Sequence, residues 1–241
     1  HFLCVTSSRL RVKSLPAMNA RLLLPLFALL LATACNPPSS NEAPKSDASK
    51  TDAPAAPQPE AKPKEAEPEV AVIKTTEGEL VIEFWSDVAP KTVENFKKLA
   101  KDGFYDGTLF HRIIDGFMVQ GGDPLTKDPD KELYWGTGGP GYRIQGETNT
   151  RADRKHVRGV IAMAHSGHPD TAGSQFYICL APQPGLDGGY TTFGKLIKGD
   201  EVLGKIGKTP VGQGPSGERS RPLTKVGIES IQIVPASSIP Q

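Results

Sequence analysis

The stretch FHRIIDGFMVQGGD, residues 110–123, has the apolar character of a core strand but carries polar side chains in unexpected places. Apolar residues and glycines make up most of it, yet Arg112 and Gln120 interrupt them. Side chains alternate between the two faces of a strand, so Phe110 and Arg112 are predicted to share one face, as are Met118 and Gln120. Two neighbouring strands would then present a guanidinium, an amide and an apolar floor together.

A surface of this kind suits an extended peptide that docks a small apolar residue in a pocket. The alternative is an ordinary barrel strand from which Arg112 extends its charged end to solvent while Met118 fills the core. These residues alone leave both interpretations open. By the same alternation His111 points away from Arg112, and we interpret it as a structural residue.

The residues around this stretch predict a domain built mostly of short strands. Residues 70–85 read as a hairpin that turns at Glu77 and Gly78. Residues 88–103 have apolar residues at helix spacing and end in a glycine that can stop a helix. A second short helix is predicted over residues 200–206, and glycine-rich turns separate the remaining β-rich runs. Many short strands with two isolated helices predict a mainly β fold, a closed antiparallel barrel.

Composition excludes several classes of protein. The chain has 241 residues and a formal net charge of +1, which argues against the basic face of a nucleic-acid-binding protein. Its three cysteines do not make a disulfide framework. Cys179 lies in an apparent strand and is predicted to be a small buried apolar residue.

Other chemistries lack a complete motif. Ser166 and Ser174 do not lie in a G-x-S-x-G turn, although a triad could still assemble from distant residues. His165 and His168 are three residues apart in a loop, without the glutamate of H-E-x-x-H. The glycine-rich segment 136–141 is not followed by a helix that could hold a phosphate. Among these chemistries the peptide groove fits the stretch 110–123, with the ordinary barrel strand still open as the alternative.

The segment 18–35 has the organisation of an export signal. Arg21 precedes the apolar run LLLPLFALLLATAC, which is shorter than the roughly 20 residues of a transmembrane helix. Small residues before Cys35 resemble a bacterial lipoprotein signal, in which the cysteine is lipidated and becomes the mature N-terminus. Ordinary cleavage and a retained apolar anchor are the alternatives.

The remaining segments complete the predicted organisation. Residues 1–17 precede the first methionine, and we expect an untranslated or disordered extension there, without a role for Cys4. Residues 36–69 contain no aromatic residue and no Val, Ile, Leu or Met, which predicts a disordered linker. A single domain is predicted over residues 70–235, followed by a C-terminal tail over residues 236–241.

Four motifs in order resemble the cyclophilins, the cyclosporin-binding peptidyl-prolyl isomerases. They are FHRIIDGFMVQGGD, GTGGPGY, GVIAMAHSGHPDTAGSQFYIC and LDGGYTTFGKL. The resemblance covers about residues 70–234 and implies a closed eight-stranded antiparallel β-barrel capped by two α-helices. It also implies a peptidyl-prolyl cis-trans isomerase that accelerates rotation about X-Pro bonds and assists the folding of exported proteins.

The resemblance implies a set of site residues. Arg112 matches the catalytic arginine of the family. The matching substrate-binding residues are Phe117, Met118, Gln120, Ala164, His165, Gln175, Tyr177, Leu186 and Tyr190.

Several positions depart from the family pattern. His165 replaces a common asparagine, Tyr177 a common phenylalanine, and Tyr190 the histidine of many eukaryotic members. Gly185 stands where cyclosporin-sensitive members have tryptophan, so weak cyclosporin binding is expected. Residues 127–135, KDPDKELYW, look like an addition relative to short bacterial members and have no assigned role.

The partners that the resemblance implies are proline-containing segments of unfolded or exported proteins. We expect a monomer without cofactor, metal or nucleic acid, which works as a folding catalyst and chaperone. Lipidated Cys35 would anchor it in the cell envelope, facing the periplasm, and Asn36 after it favours the outer membrane by analogy with enteric bacteria. The rival interpretations are a binding module with little turnover and an anchored structural protein.

Overall fold

The computed structural model describes residues 67–214 and 216–240 of the chain. The predicted extension, the signal segment with Cys35 and the linker up to residue 66 lie outside the described residues. The first strand begins at Glu69, one residue before the predicted start of the domain.

A nine-stranded sheet, a separate two-stranded sheet and two helices make up the described part of the chain. The strands are β1 (Glu69–Thr75), β2 (Gly78–Phe84), β3 (Thr108–Leu109), β4 (Arg112–Ile114), β5 (Met118–Gly121), β6 (Val160–Met163), β7 (Phe176–Cys179), β8 (Thr192–Lys198), β9 (Val211–Gln213), β10 (Arg219–Pro222) and β11 (Gly227–Pro235). The helices are α1 (Pro90–Lys101) and α2 (Asp200–Gly207).

Helix α1 follows from local sequence signals. Pro90 occupies the first turn, where a missing N–H costs no hydrogen bond. The apolar residues at helix spacing, Val93, Phe96 and Leu99, are buried in the main core. Gly103 has a φ of +67°, the left-handed conformation that ends helices. Both helices were predicted from the sequence, and α2 extends one residue beyond the predicted range.

The predicted mainly β architecture with two helices is confirmed, but its strand count and closure differ from a closed eight-stranded barrel. Every strand pairing in the nine-stranded sheet is antiparallel, in the order β3-β11-β1-β2-β8-β6-β7-β5-β4. The edge strands β3 and β4 are connected through only Phe110 and His111. Leu109 and Arg112 are therefore at most about 11 Å apart. The covalent chain, rather than a ladder of hydrogen bonds, joins the two edges of the curled sheet.

The break between β3 and β4 overturns one prediction from side-chain alternation. Phe110 and Arg112 do not share a face, because they do not belong to one continuous strand. Phe110 is buried in the main core, where its ring contacts Phe176, whereas Arg112 is only partly buried. Residue alternation predicts faces only as long as the strand continues.

Two further observations bear on the sequence predictions. Cys179 is fully buried, as predicted, and burial raises the pKa of its thiol to about 12. Among residues 67–214 and 216–240, no helix combines the length and apolar character needed to cross a membrane.

Candidate active site

The register of three strands places the predicted polar residues in one row. Arg112 on β4 is paired with Gln120 on β5, and Gln120 is paired with Tyr177 on β7. Ala162 on β6 continues this row, opposite Tyr177. Directly paired residues of antiparallel strands project to the same face, so these side chains point to one side of the sheet. Met118 lies two residues before Gln120 and shares that face, as predicted.

A cavity of about 160 Å³ lies on this face. Nine of the ten residues predicted for the site line it, although they come from five separate segments of the chain. They are Arg112, Phe117, Met118, Gln120, Ala164, His165, Tyr177, Leu186 and Tyr190.

The tenth predicted residue, Gln175, lines an adjoining cavity of about 200 Å³ that also includes Gln120. The Gln120 Nε2 donates to Gln175 Oε1 at 3.0 Å. Gln175 Nε2 in turn donates to the carbonyl oxygens of Gly136 and Gly138, at 3.0 and 2.8 Å. Gln175 therefore connects the amide of Gln120 to the glycine-rich segment and fixes its orientation.

The guanidinium of Arg112 divides its donors among three side chains. Nε and Nη2 donate to the carboxylate of Glu218, at 2.7 and 3.0 Å. Nη1 lies 3.4 Å from Gln120 Oε1 and 3.8 Å from Met118 Sδ. The guanidinium also lies over the ring of Phe117, 5.8 Å from its centroid. Nη1 is thus the nitrogen directed toward the residues of the cavity.

Glu218 is a site residue that sequence reasoning missed. It lies 106 positions from Arg112, and no spacing or motif connects the two. The hydrogen bonds from the Arg112 guanidinium lower the pKa of the Glu218 carboxyl, against a smaller opposing effect of burial. The carboxylate therefore stays ionised near neutral pH, and the pair keeps both charges.

The walls of the cavity are apolar and partly aromatic. Behind it, Met118, Ala162, Tyr177 and Cys179 form a buried cluster against which the other wall residues pack. Burial raises the pKa of the Tyr177 phenol, and its hydroxyl has no hydrogen-bond partner among the described residues. A site without an activated base or nucleophile in this wall suits binding and electrostatic stabilisation better than covalent chemistry.

His156 and Asp187, which the sequence did not single out, support one wall of the cavity. His156 donates from its backbone N–H and from Nδ1 to one oxygen of the Asp187 carboxylate, at 2.9 and 2.8 Å. Its ring stacks on Tyr177, 6.1 Å between centroids and 13° between planes. Burial lowers the pKa of His156, so the ring is neutral and keeps its Nδ1–H donor. This contact holds the segment that carries Leu186.

His165 packs against Tyr190, another residue of the cavity lining. Its ring stacks on Tyr190 at 4.2 Å between centroids, and its Nε2 lies 2.9 Å from the carbonyl oxygen of Gly189. Within the described part of the chain, no group of three or more His, Cys, Asp or Glu side chains is placed to hold a metal ion. In the HSGHPD loop, the Asp170 backbone N–H donates to His168 Nδ1 at 3.3 Å.

Comparison with known proteins identifies the family. The family described as cyclophilin type peptidyl-prolyl cis-trans isomerase/CLD matches residues 70–233. The chain belongs to the cyclophilins.

Two curated peptidyl-prolyl cis-trans isomerases and a solved structure are similar to the chain. A peptidyl-prolyl cis-trans isomerase of Synechococcus elongatus is 50% identical over 133 residues, which are 55% of this chain and 83% of the relative. One of Helicobacter pylori is 48% identical over 138 residues, 56% of this chain and 78% of the relative. The crystal structure of a Cryptosporidium parvum cyclophilin, determined with the dipeptide ala-pro, aligns with a TM-score of 0.60 and 34% identity. That alignment covers 68% of this chain and 98% of the other.

This cyclophilin has a further cavity beside the 160 Å³ cavity, separate from the one that Gln175 lines. Its volume is about 230 Å³, and Arg112 and Gln120 line both cavities. His111 and Arg112 both line this cavity, whereas His111 does not line the 160 Å³ cavity. The other side chains around it come from the loop of residues 127–135, which the sequence resemblance suggests is an addition, and from β10 with the turn before it: Glu132, Trp135, Ser216, Glu218, Ser220 and Arg221.

Proposed function

We propose that this cyclophilin binds an X-Pro segment with the proline ring in the 160 Å³ cavity and catalyses rotation about the X-Pro bond through Arg112. The observation that carries the proposal is the position of Nη1, which faces Gln120 and Met118 while the other edge of the guanidinium is paired. The Cryptosporidium relative was crystallised with ala-pro, a dipeptide of the same chemical class.

The reaction needs stabilisation of a twisted bond rather than transfer of a proton or a group. Resonance gives the bond a rotation barrier of about 18–20 kcal/mol. A barrier of about 20 kcal/mol corresponds to a rate on the order of 0.01 per second, and roughly 1,000 per second requires about 7 kcal/mol less. In the twisted state resonance is lost, so the proline nitrogen becomes a better hydrogen-bond acceptor.

Arg112 would supply part of this stabilisation. Its Nη1 donates to the proline nitrogen in the twisted state, a charge-assisted bond that contributes about 1.5–3 kcal/mol. The rest comes from contacts that favour the twisted state over the ground state. Phe117, Met118, Tyr177 and Leu186 hold the ring, while Gln120 donates its remaining amide hydrogen to the substrate backbone. The orientation imposed by Gln175 prepares this donor before substrate binds.

Isomerisation of a proline tetrapeptide by the full chain tests this proposal. Arg112→Ala is expected to reduce kcat/KM severely, and Arg112→Lys, which keeps the charge without the planar fork, to restore little of it. Thermal unfolding of each variant shows whether the fold is intact. Equal rates for the parent and Arg112→Ala would show that the catalytic assignment is wrong.

We also propose that the protein is exported, lipidated at Cys35 and anchored to the outer membrane, where it assists the folding of exported proteins. The support is the signal-like organisation of residues 18–35 and the composition of the linker after it. Cys35→Ser is expected to abolish labelling of the protein by a radioactive fatty acid, because the thiol that would carry the lipid is absent. Asn36→Asp is expected to keep lipidation but retain the protein in the inner membrane. Equal labelling of the parent and of Cys35→Ser, or no labelling of the parent, would contradict lipidation at Cys35.

A further inference from the structure

The added loop, residues 127–135, is held at both ends by one buried carboxylate. Asp123 is fully buried and accepts hydrogen bonds from the backbone N–H groups of Leu125 at 2.7 Å, Gly136 at 2.5 Å and Gly138 at 3.2 Å. A side chain at position 138 would collide with this carboxylate, because a Cβ there would lie 2.0 Å from Asp123 Oδ1. These hydrogen bonds therefore fix both ends of the loop to the rest of the fold.

Trp135 ends the loop and is itself fixed. Its indole Nε1 donates to the carbonyl oxygens of Leu125 at 3.0 Å and Asp128 at 3.3 Å. The guanidinium of Arg221 lies 6.0 Å from the centroid of the Trp135 ring, and Arg221 pairs with Glu132 of the same loop. The loop thus contacts β10 through the Trp135 ring and the Glu132 carboxylate. Both groups interact with the guanidinium of Arg221.

Strand β10 carries that contact to the catalytic arginine. Arg221 is three residues from Glu218, and Gly214 N–H donates to the Glu218 carbonyl at 2.8 Å across the hairpin of β9 and β10. The hairpin packs beside β4. Glu218 accepts two hydrogen bonds from one edge of the Arg112 guanidinium. A continuous series of contacts therefore leads from the added loop to Arg112.

The two hydrogen bonds from Arg112 to the Glu218 carboxylate constrain the guanidinium more than a single hydrogen bond would. Arginine has a long flexible side chain, but a bidentate fork fixes the plane and the direction of its guanidinium. The side chains of Arg112 and Glu218 are 32% and 40% exposed, so attraction between the charges alone contributes little in water. The geometric effect is larger, because small errors in the placement of a catalytic group reduce the rate strongly.

We propose that Glu218 is a positioning residue for Arg112, and that the added loop 127–135 acts through Arg221 to hold the hairpin carrying Glu218 in place. This inference rests on the proposed function, since it concerns how Arg112 is oriented for catalysis. Glu218 occupies the edge of the guanidinium that faces away from the proline cavity and leaves Nη1 toward the cavity. The contact therefore orients the donor without blocking it.

The test compares Glu218→Gln and Glu218→Asp in the full chain, with Glu229→Gln on an exposed part of β11 as the matched control. A positioning role predicts that Glu218→Gln lowers kcat about tenfold, because the neutral amide cannot accept both donors of the fork, while KM for a proline tetrapeptide changes less than about twofold. The shorter carboxylate of Glu218→Asp should recover part of kcat, and Glu229→Gln should leave both constants unchanged.

A second arm tests the loop. Arg221→Gln removes the ion pair to Glu132 and the contact with Trp135, and is expected to lower kcat about threefold with KM unchanged. An unchanged kcat in Arg221→Gln would show that the loop does not help to position Arg112. That result would overturn this part of the proposal. Thermal unfolding of all variants identifies any general loss of structure.

The outcomes separate this inference from the proposed function. If Arg112→Ala is slow but Glu218→Gln is as fast as the parent, or faster, Glu218 does not position Arg112 and the proposed function stands. If Glu218→Gln lowers kcat/KM only by raising KM, Glu218 acts on substrate binding and does not position Arg112. If Arg112→Ala is as fast as the parent, the catalytic assignment itself fails.

Discussion

Arg112 and Gln120 face each other from paired strands, with Nη1 of the arginine 3.4 Å from Oε1 of the glutamine. The oxygen of the Gln120 amide is thereby directed to the arginine and its nitrogen to Gln175. Two donors, one from each side chain, are left toward the groove. A peptide held by Gln120 would lie within reach of Arg112.

Gln120→Ala is expected to lower kcat/KM for a proline tetrapeptide by about 3- to 10-fold. That factor corresponds to the loss of one hydrogen bond of about 0.5–1.5 kcal/mol to the substrate backbone. Gln232→Ala, on an exposed position of β11, serves as the control and should have no effect. A Gln120→Ala protein with parental kcat/KM would remove Gln120 from the substrate contacts.

Tyr177→Phe is expected to raise the free energy of unfolding by up to about 1 kcal/mol while activity is retained. The Tyr177 hydroxyl is buried without a partner among the described residues, and an unsatisfied buried hydroxyl is destabilising. The ring still forms the wall of the cavity. Unfolding by denaturant measures the change.

Tyr105→Phe provides the matched control for that measurement. Tyr105 is fully buried, and its hydroxyl donates to the carbonyl oxygen of Ser174 at 3.3 Å. Its removal should lower the free energy of unfolding by about 1 kcal/mol. If Tyr177→Phe destabilises the protein as much as Tyr105→Phe does, the Tyr177 hydroxyl has a favourable partner and the prediction is wrong.

Gly185→Trp is expected to raise the affinity for cyclosporin. Gly185 belongs to the turn that carries Leu186, and a Cβ added there would meet no atom within 4 Å. The substitution can therefore add apolar surface at the rim of the groove without displacing its neighbours. Calorimetric titration of the parent, Gly185→Ala and Gly185→Trp measures the change. Equal affinities would mean that another departure, such as Tyr177, limits binding.

The stability of the protein is expected to fall between about pH 6.5 and pH 4, with a contribution from His111. Burial lowers the pKa of His111 to about 4, against a smaller opposing effect of Asp123. In this range the unfolded chain binds a proton that the folded protein does not, so protonation favours unfolding as the pH falls. Replacing His111 should therefore make stability less dependent on pH.

His111→Gln is the variant for that test. Denaturant unfolding at pH 7 and at pH 4.5 should show a smaller loss of stability in His111→Gln than in the parent. His168→Gln is the control, since His168 lies in an exposed loop. An equal loss in the parent and in His111→Gln would show that His111 does not contribute to the acid sensitivity.

Local patterns were sufficient to predict several elements of the fold. The spacing of Val93, Phe96 and Leu99 and the position of Gly103 predicted α1, because helix periodicity and chain termination depend on neighbouring residues. Alternation placed Met118 and Gln120 on one face, because both lie within the continuous strand β5. The same rule failed for Phe110 and Arg112, where the strand is interrupted.

The residues of the candidate site were likewise predicted only in part. Nine predicted residues line one cavity, and the ordered motifs were enough to select them. The roles assigned to them remain predictions, as do the domain boundaries and the lipid anchor. Glu218, His156 and Asp187 were missed because their partners are distant in sequence and their residue types occur on any protein surface.

The sequence by itself determined that the chain carries a β-rich cyclophilin domain and which residues surround its 160 Å³ cavity, because motifs and periodicity depend on short segments. Only the tertiary structure decided how Arg112 is held. Its orientation depends on a carboxylate 106 residues away and on a loop that reaches that carboxylate through Arg221. Contacts of this kind arise from the packing of separate segments, so no local sequence pattern predicts them.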